Sequence, residues 1–243
     1  LRWVSAGATD VGRVRSVNQD AYLDRPDLGL WSVADGMGGH SDGALASRAI
    51  VEGLAKIPHP RRLGSAARAV RETLQAVNQG LIDRAAALQG DIIGSTVVAL
   101  VAVGGHCAIL WVGDSRAYRL RDGALTQLTT DHSQVQAMID AALLSPAQSE
   151  SHALSNVLLR AVGSDSPMDV DGKIERLRAG DRYLLCSDGL FREIDSTGLT
   201  VVLGRLPPAE CVKTLVQQAC DAGGRDNVTA VVIDILPAGD RQG

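Results

Sequence analysis

The chain has 243 residues, a formal net charge of -4, 45% hydrophobic and 21% charged residues, and only 3% aromatics. That composition is globular and long enough for one generous domain or two small ones. With no basic excess to neutralise phosphates, nucleic acid is not expected as a partner, and the scarcity of aromatics argues against base-stacking platforms.

The longest apolar runs, near Thr96–Val103 and Cys107–Val112, are too short to span a bilayer, so no membrane insertion is expected. None of Cys107, Cys186, Cys211 and Cys220 forms a C-x-x-C pair, and buried free thiols in a reducing cytoplasm are expected. No signal-peptide pattern opens the chain. It starts at Leu1 rather than Met, so a trimmed start or a longer parent protein both stay open.

Residues Trp3 to Ala8 read as a first strand, followed by a polar connection, Thr9 to Asp20, that carries Arg13 and Arg15. Ala21–Leu23 resumes a strand, and Leu30–Ala34 is an apolar run that stops at Asp35-Gly36-Met37-Gly38-Gly39. Two amphipathic helices follow. The first has Ala46, Ala49, Ile50, Leu54 and Ile57 on one face, and the second has Val70, Leu74, Val77 and Leu81. From Ser95 the period changes to two nearly continuous apolar strands, Thr96–Val103 and Cys107–Val112, joined at Gly104-Gly105 and buried on both faces. A hairpin turns at Asp122-Gly123.

Asp131 to Gly163 has weak periodicity and reads as an excursion from the sheet, a flap with a short helix near Gln134–Leu144. Strands return at Val170–Leu177 and Arg182–Cys186. A helix opens at Pro207-Pro208, and Val228–Leu236 is a last strand before a loose tail. Strands follow strands, and the helices come as a pair plus a late one. That order predicts antiparallel sheets with helices outside them, an α+β fold.

Five aspartates sit at ends of apolar strands: Asp20, Asp35, Asp114, Asp188 and Asp226. Each alone reads equally well as a turn residue, and spacing does not decide whether they meet. If they do, their mutual repulsion and desolvation call for cations. Oxygen donors, with no Cys or His at ligand spacing, select Mg²⁺ or Mn²⁺ over Zn²⁺, and the Gly36 carbonyl is a further donor at the Asp35 edge. Arg15, on the loop that carries Asp20, can grip a phosphate bidentately. Metals with a phosphate clamp point to metal-activated water attacking a phosphoester.

Seven stretches in order then resemble the metal-dependent Ser/Thr protein phosphatases of the PPM type, the PP2C-like family, in compact bacterial form. They are Gly12–Asp20, Val33–His40, Val112–Arg116, Leu128–Ser133, Leu159–Gly163, Gly180–Leu190 and Gly223–Thr229. The resemblance implies a four-layer α-β-β-α sandwich, a single phosphatase domain over residues 1–237 with a tail at 238–243, and a flap at 131–163 beside the site. It implies two core ions, Mn²⁺ or Mg²⁺. Asp35 would bridge them as the central catalytic ligand, the Gly36 carbonyl, Asp188 and Asp226 would complete one shell, and Asp20 would act near the other ion. Asp114 with Asp188 matches the place of a third, weaker ion, and Arg15 would bind the substrate phosphate.

Two departures stand out. Gln19 replaces a more usual glutamate and brings no charge, and Met37 stands where animal members have a histidine; His40 is expected to be structural. The implied function is hydrolysis of phosphoserine and phosphothreonine by a metal-bridged hydroxide. It would oppose a bacterial Ser/Thr kinase, type VI secretion control being one setting. The implied partners are phosphorylated proteins, a cognate kinase and its substrates, met by a cytoplasmic monomer. The alternatives are a non-catalytic phosphoprotein-binding pseudophosphatase and a phosphatase dedicated to a phosphorylated anti-anti-sigma-type regulator.

Overall fold

The computed structural model describes residues 1–38, 42–59, 61–88, 93–145, 148, 154 and 156–238. His40 and nearly all of the expected tail lie outside the described residues, as does part of the flap.

Two antiparallel sheets lie face to face. One has five strands: β1 (Arg2–Asp10), β11 (Val228–Leu236), β10 (Arg182–Cys186), β7 (Arg116–Arg121) and β8 (Ala124–Gln127), in that order. The other runs β2 (Asp20–Arg25), β3 (Leu30–Met37), β5 (Val97–Val103), β6 (His106–Val112) and β9 (Asp171–Arg176), with the two-residue β4 (Gly94–Ser95) paired to β3. The hairpin between β7 and β8 turns on Asp122 (φ 51°) and Gly123 (φ 79°), both left-handed, as a tight turn that matches strand twist requires.

The alternation along β5 shows how the layers form. Val97, Ala99 and Val101 face α1 (Asp42–Ala55) and α2 (Leu63–Leu88), beside Ile50, Leu54, Val70 and Leu74. Val98, Leu100 and Ala102 face the other sheet, beside Tyr183, Leu185, Val231 and Ile233. The opposite faces of β10 and β11, with Leu184, Ala230 and Val232, bury α5 (Ser196–Leu203) and α6 (Pro208–Ala222). The result is an α-β-β-α sandwich, as expected. Each central strand is covered on both faces, which is why its apolar run is continuous. All four cysteines are buried free thiols.

Three elements were not anticipated: β4, the single turn α4 (Asp188–Phe191), and α5. The flap helix α3 (Gln134–Asp140) is shorter than expected; Ser133 caps it, its hydroxyl accepting from the Gln136 N–H. No helix among the described residues is long and apolar enough to cross a membrane.

Leu100 is fully buried between the sheets. Leu100→Ala is expected to lower unfolding free energy by about 2–5 kcal/mol in a urea titration. Val201→Ala, on the exposed side of α5, should stay within about 0.5 kcal/mol of the parent. A near-neutral Leu100→Ala would contradict the inter-sheet placement.

Candidate active site

Strand β3 places Asp35 where three segments meet. The Asp35 N–H donates to Thr96 Oγ1 at 3.2 Å, and its carbonyl accepts from the Thr96 N–H at 2.8 Å and Ser95 Oγ at 3.0 Å. The backbone is thereby fixed and the side chain is left to the cleft. Antiparallel register sets Asp20 directly opposite Asp35. Gly36 follows, its N–H donating to the Gln19 carbonyl at 3.1 Å. A Cβ there would stand 2.0 Å from the Gly43 carbonyl oxygen, so no other residue fits the close approach of β3 to the start of α1.

The other sheet supplies the remaining acids. Ser187, between β10 and α4, donates its hydroxyl to Asp20 Oδ2 at 2.8 Å and accepts the Thr229 N–H at 3.0 Å, so it joins the two sheets beneath the site. Asp188 then opens α4, and Asp226 immediately precedes Asn227 and β11. Asp35, Asp114, Asp188 and Asp226 line one cavity of about 270 Å³, and Asp20 is buried directly opposite Asp35. The structure therefore gathers all five predicted acids in one corner.

Two arginines balance this corner. Arg15 donates to both oxygens of Asp226, from Nε at 2.9 Å and Nη2 at 2.8 Å, so the expected phosphate clamp is held by a carboxylate of the site. Arg192 binds Asp188 Oδ2 from Nε at 3.0 Å and faces Asp114 Oδ2 from Nη2 at 3.7 Å. Burial still dominates the electrostatics. It pushes the Asp20 and Asp114 carboxyls up to about 7, with the charge of Asp188 adding to both. Asp35 lies well above the usual range through burial and the charges of Asp20 and Asp188, and Asp188 is raised by burial and Asp226 against the opposing pull of Arg192.

The donor set fits hard divalent cations. Every available ligand is a carboxylate or carbonyl oxygen, and Asp20 Oδ1 and Asp188 Oδ1 are buried with no hydrogen-bond partner among the described residues. Buried orphan acceptors of this kind are costly unless something electropositive meets them. Among the described residues, no three His, Cys, Asp or Glu side chains are already drawn together as a cage for an ion. Asp226 is paired with Arg15, and Asp188 with Arg192.

Three positioning residues escaped the sequence reading. Asn227 accepts the Gln19 N–H at 2.7 Å and donates to the Val11 and Val17 carbonyls at 2.9 and 3.0 Å, so it ties down the whole loop that carries Arg15. Its only signal was a place inside a quoted motif. Ser187 gave a similar signal, and Arg192 gave none. Gln19 directs its amide towards the Gly38 carbonyl at 3.5 Å.

The flap forms the opposite wall. Asn156 and Leu158 line the cavity. The segment is seated by the Gln134 N–H on the Val157 carbonyl at 2.9 Å and the Leu159 N–H on the His132 carbonyl at 2.8 Å. Arg116 braces its base, paired with Asp131 at 2.7 Å and lying 3.6 Å over the Phe191 ring.

Comparison with known proteins agrees with this geometry. The family model described as protein phosphatase 2C matches residues 11–223. The serine/threonine protein phosphatase PstP of Mycobacterium tuberculosis is 33% identical over 234 residues, 95% of this chain and 45% of that protein, so the chain spans about half the length of this relative. The serine/threonine phosphatase Stp of Listeria monocytogenes is 32% identical, with 93% of each chain covered. Among solved structures, PppA, a key regulatory component of T6SS in Pseudomonas aeruginosa, superposes with a TM-score of 0.91 at 40% identity, covering 96% of this chain and 98% of that one. The catalytic domain of PstP in complex with 2 manganese ions superposes at 0.84 with 33% identity, covering 97% and 99%. On a family match that spans most of the chain, and on relatives that share its whole sandwich, this chain belongs to the protein phosphatase 2C family.

Proposed function

We propose that the chain is a metal-dependent serine/threonine protein phosphatase that hydrolyses phosphoserine and phosphothreonine. The observation that carries this reading is the convergence of four strand-end aspartates on one cleft with Asp20 buried opposite Asp35, Asp20 and Asp188 each keeping a buried oxygen without a hydrogen-bond partner among the described residues. Asp35, the Gly36 carbonyl, Asp188 and Asp226 would hold two core ions, Mn²⁺ or Mg²⁺, with Asp20 behind them. Bound there, such ions lower the pKa of water and neutralise charge on a phosphoryl group.

The chain's own groups do the rest. Arg15 stands at the cleft rim on a loop that Asn227 fixes, and its fork matches phosphate oxygens as well as it matches Asp226. Thr96 holds the Asp35 backbone with its hydroxyl, which also bonds Ser115, a positioning role. Among the described residues, no Ser, Cys or His lines the cleft, so it offers no Ser–His or Cys–His pair for covalent catalysis. Direct hydrolysis by water, with no phosphoenzyme, is the proposed route.

Phosphoproteins made by a cognate Ser/Thr kinase are the proposed substrates. The likeness to PppA supports type VI secretion as one setting. The buried free thiols suit a reducing, cytoplasmic location. No observation favours the non-catalytic reading.

Asp35→Asn is expected to reduce Mn²⁺-dependent turnover of a phosphothreonine peptide to background while the circular dichroism spectrum is kept; unchanged turnover would refute the assignment. Arg15→Ala should raise KM for the same peptide about tenfold or more, the loss of a charge-assisted contact worth about 1.5–3 kcal/mol. A parental KM would exclude Arg15 as the clamp.

A pH dependence is expected in protein stripped of divalent ions by a chelator. Burial pushes the folded Asp20 and Asp114 carboxyls up to about 7, well above the ordinary aspartate value of about 3.9. Between those values the folded state holds protons that the unfolded state has released, so stability falls as pH rises through that window. Buried His132, whose pKa is lowered by desolvation, opposes this as one group against the four raised carboxyls. The Tm of chelated protein should therefore drop between pH 5 and pH 8, as differential scanning fluorimetry would read. A flat or rising Tm would show that the cluster is not buried as described.

A further inference from the structure

The place expected for a third ion, between Asp114 and Asp188, is already covered by a cation of the chain itself. Arg192 lies four residues after Asp188, on the residue that closes α4, and one helical turn brings its Nε to Asp188 Oδ2 at 3.0 Å. Its Nη2 faces Asp114 Oδ2 at 3.7 Å, and its Nη1 donates to Asn156 Oδ1 of the flap. Three elements distant in sequence thus meet on one guanidinium: the turn after β6, the start of α4 and the cleft-facing end of the flap. Both carboxylates are almost fully buried, at 8% and 14% side-chain exposure, while Arg192 keeps 31%. Buried carboxylates facing each other need a positive charge. Arginine supplies one at every physiological pH, and a single rigid fork here bonds Asp188 and stands at ion-pair distance from Asp114.

We propose that Arg192 replaces the third metal ion in this chain. Its guanidinium closes the Asp114–Asp188 pair to divalent cations and ties Asn156 of the flap to the metal centre. This departs from the third ion that the family resemblance implies, and it rests on the metal-dependent reading proposed above. Arg192 is a positioning residue: it acts through Asp114, Asp188 and Asn156. In this chain the flap would be coupled to the core ions by a fixed side chain. The coupling would not depend on the concentration of a weakly held ion.

The test is Mn²⁺ stoichiometry of the whole chain, by equilibrium dialysis up to millimolar Mn²⁺ with elemental analysis. The parent chain is expected to bind only its tight ions. Arg192→Gln should gain one further, weak ion per chain, and Arg192→Gln combined with Asp114→Asn should lose it again. Arg192→Lys, which keeps the charge, should not gain it, and this variant keeps the test open if Arg192→Gln does not fold. Amide exchange at Val157 and Leu159 should become severalfold faster in Arg192→Gln as the Asn156 anchor is lost. A weak ion in the parent chain that Asp114→Asn removes would overturn the proposal, as would equal stoichiometry in the parent and Arg192→Gln. A parent chain that binds no Mn²⁺ at all would overturn the metal-dependent reading instead.

Discussion

Four of the five aspartates gathered at the cleft have carboxyls raised above the usual range, by burial first and by one another's charge, and the surrounding structure holds them there. Carboxylates this close stay together only if neighbouring parts of the fold prevent them from moving apart and if positive charge is brought in. Both conditions are met. The backbone around Asp35 is clamped by Ser95 and Thr96, Asp20 is held by Ser187, and two arginines take up part of the negative charge. The oxygens left without partners mark where the remaining charge balance is missing.

The sandwich makes this arrangement possible. Asp20 and Asp35 come from one sheet, and Asp188 and Asp226 come from the ends of strands in the other. Only a face-to-face stack of two sheets brings those ends together. The Ser187 hydroxyl, bonded to Asp20 on one side and the Thr229 amide on the other, is the small polar joint at their seam. Above it the interior is apolar and close-fitting, with Trp31, Leu100, Ile109, Tyr183 and Leu185 fully buried. The stiffness of the core is thereby passed to the acids at its edge.

Much of this was legible in the sequence. The double burial of β5 and β6 is written in their unbroken apolar runs, and α2 in its three- and four-residue steps. The five acids were legible as strand ends followed or preceded by turn residues. Their convergence was not, because it depends on contacts across more than 200 positions, such as Arg15 with Asp226. The region from Asp188 to Leu203 was missed for local reasons. α4 is a single turn, too short to show a period, and α5 contains Thr-Val-Val-Leu, a β-branched run that favours strands. The signal that decides for helix is Asp195, whose side chain accepts from the Gly198 N–H at 2.7 Å as a cap. Missing α4 meant missing Arg192, since only a helical turn brings positions 188 and 192 side by side.

Asn227 carries a consequence for how the site can move. One amide grips the loop at Val11, Val17 and Gln19, and it belongs to the residue next to Asp226. The arm bearing Arg15 is therefore anchored on both sides to the residue beside Asp226. On the reading proposed above, phosphate recognition and ion coordination would share that one corner. The opposite wall, with Asn156 and Leu158, would then be where differing substrates are told apart.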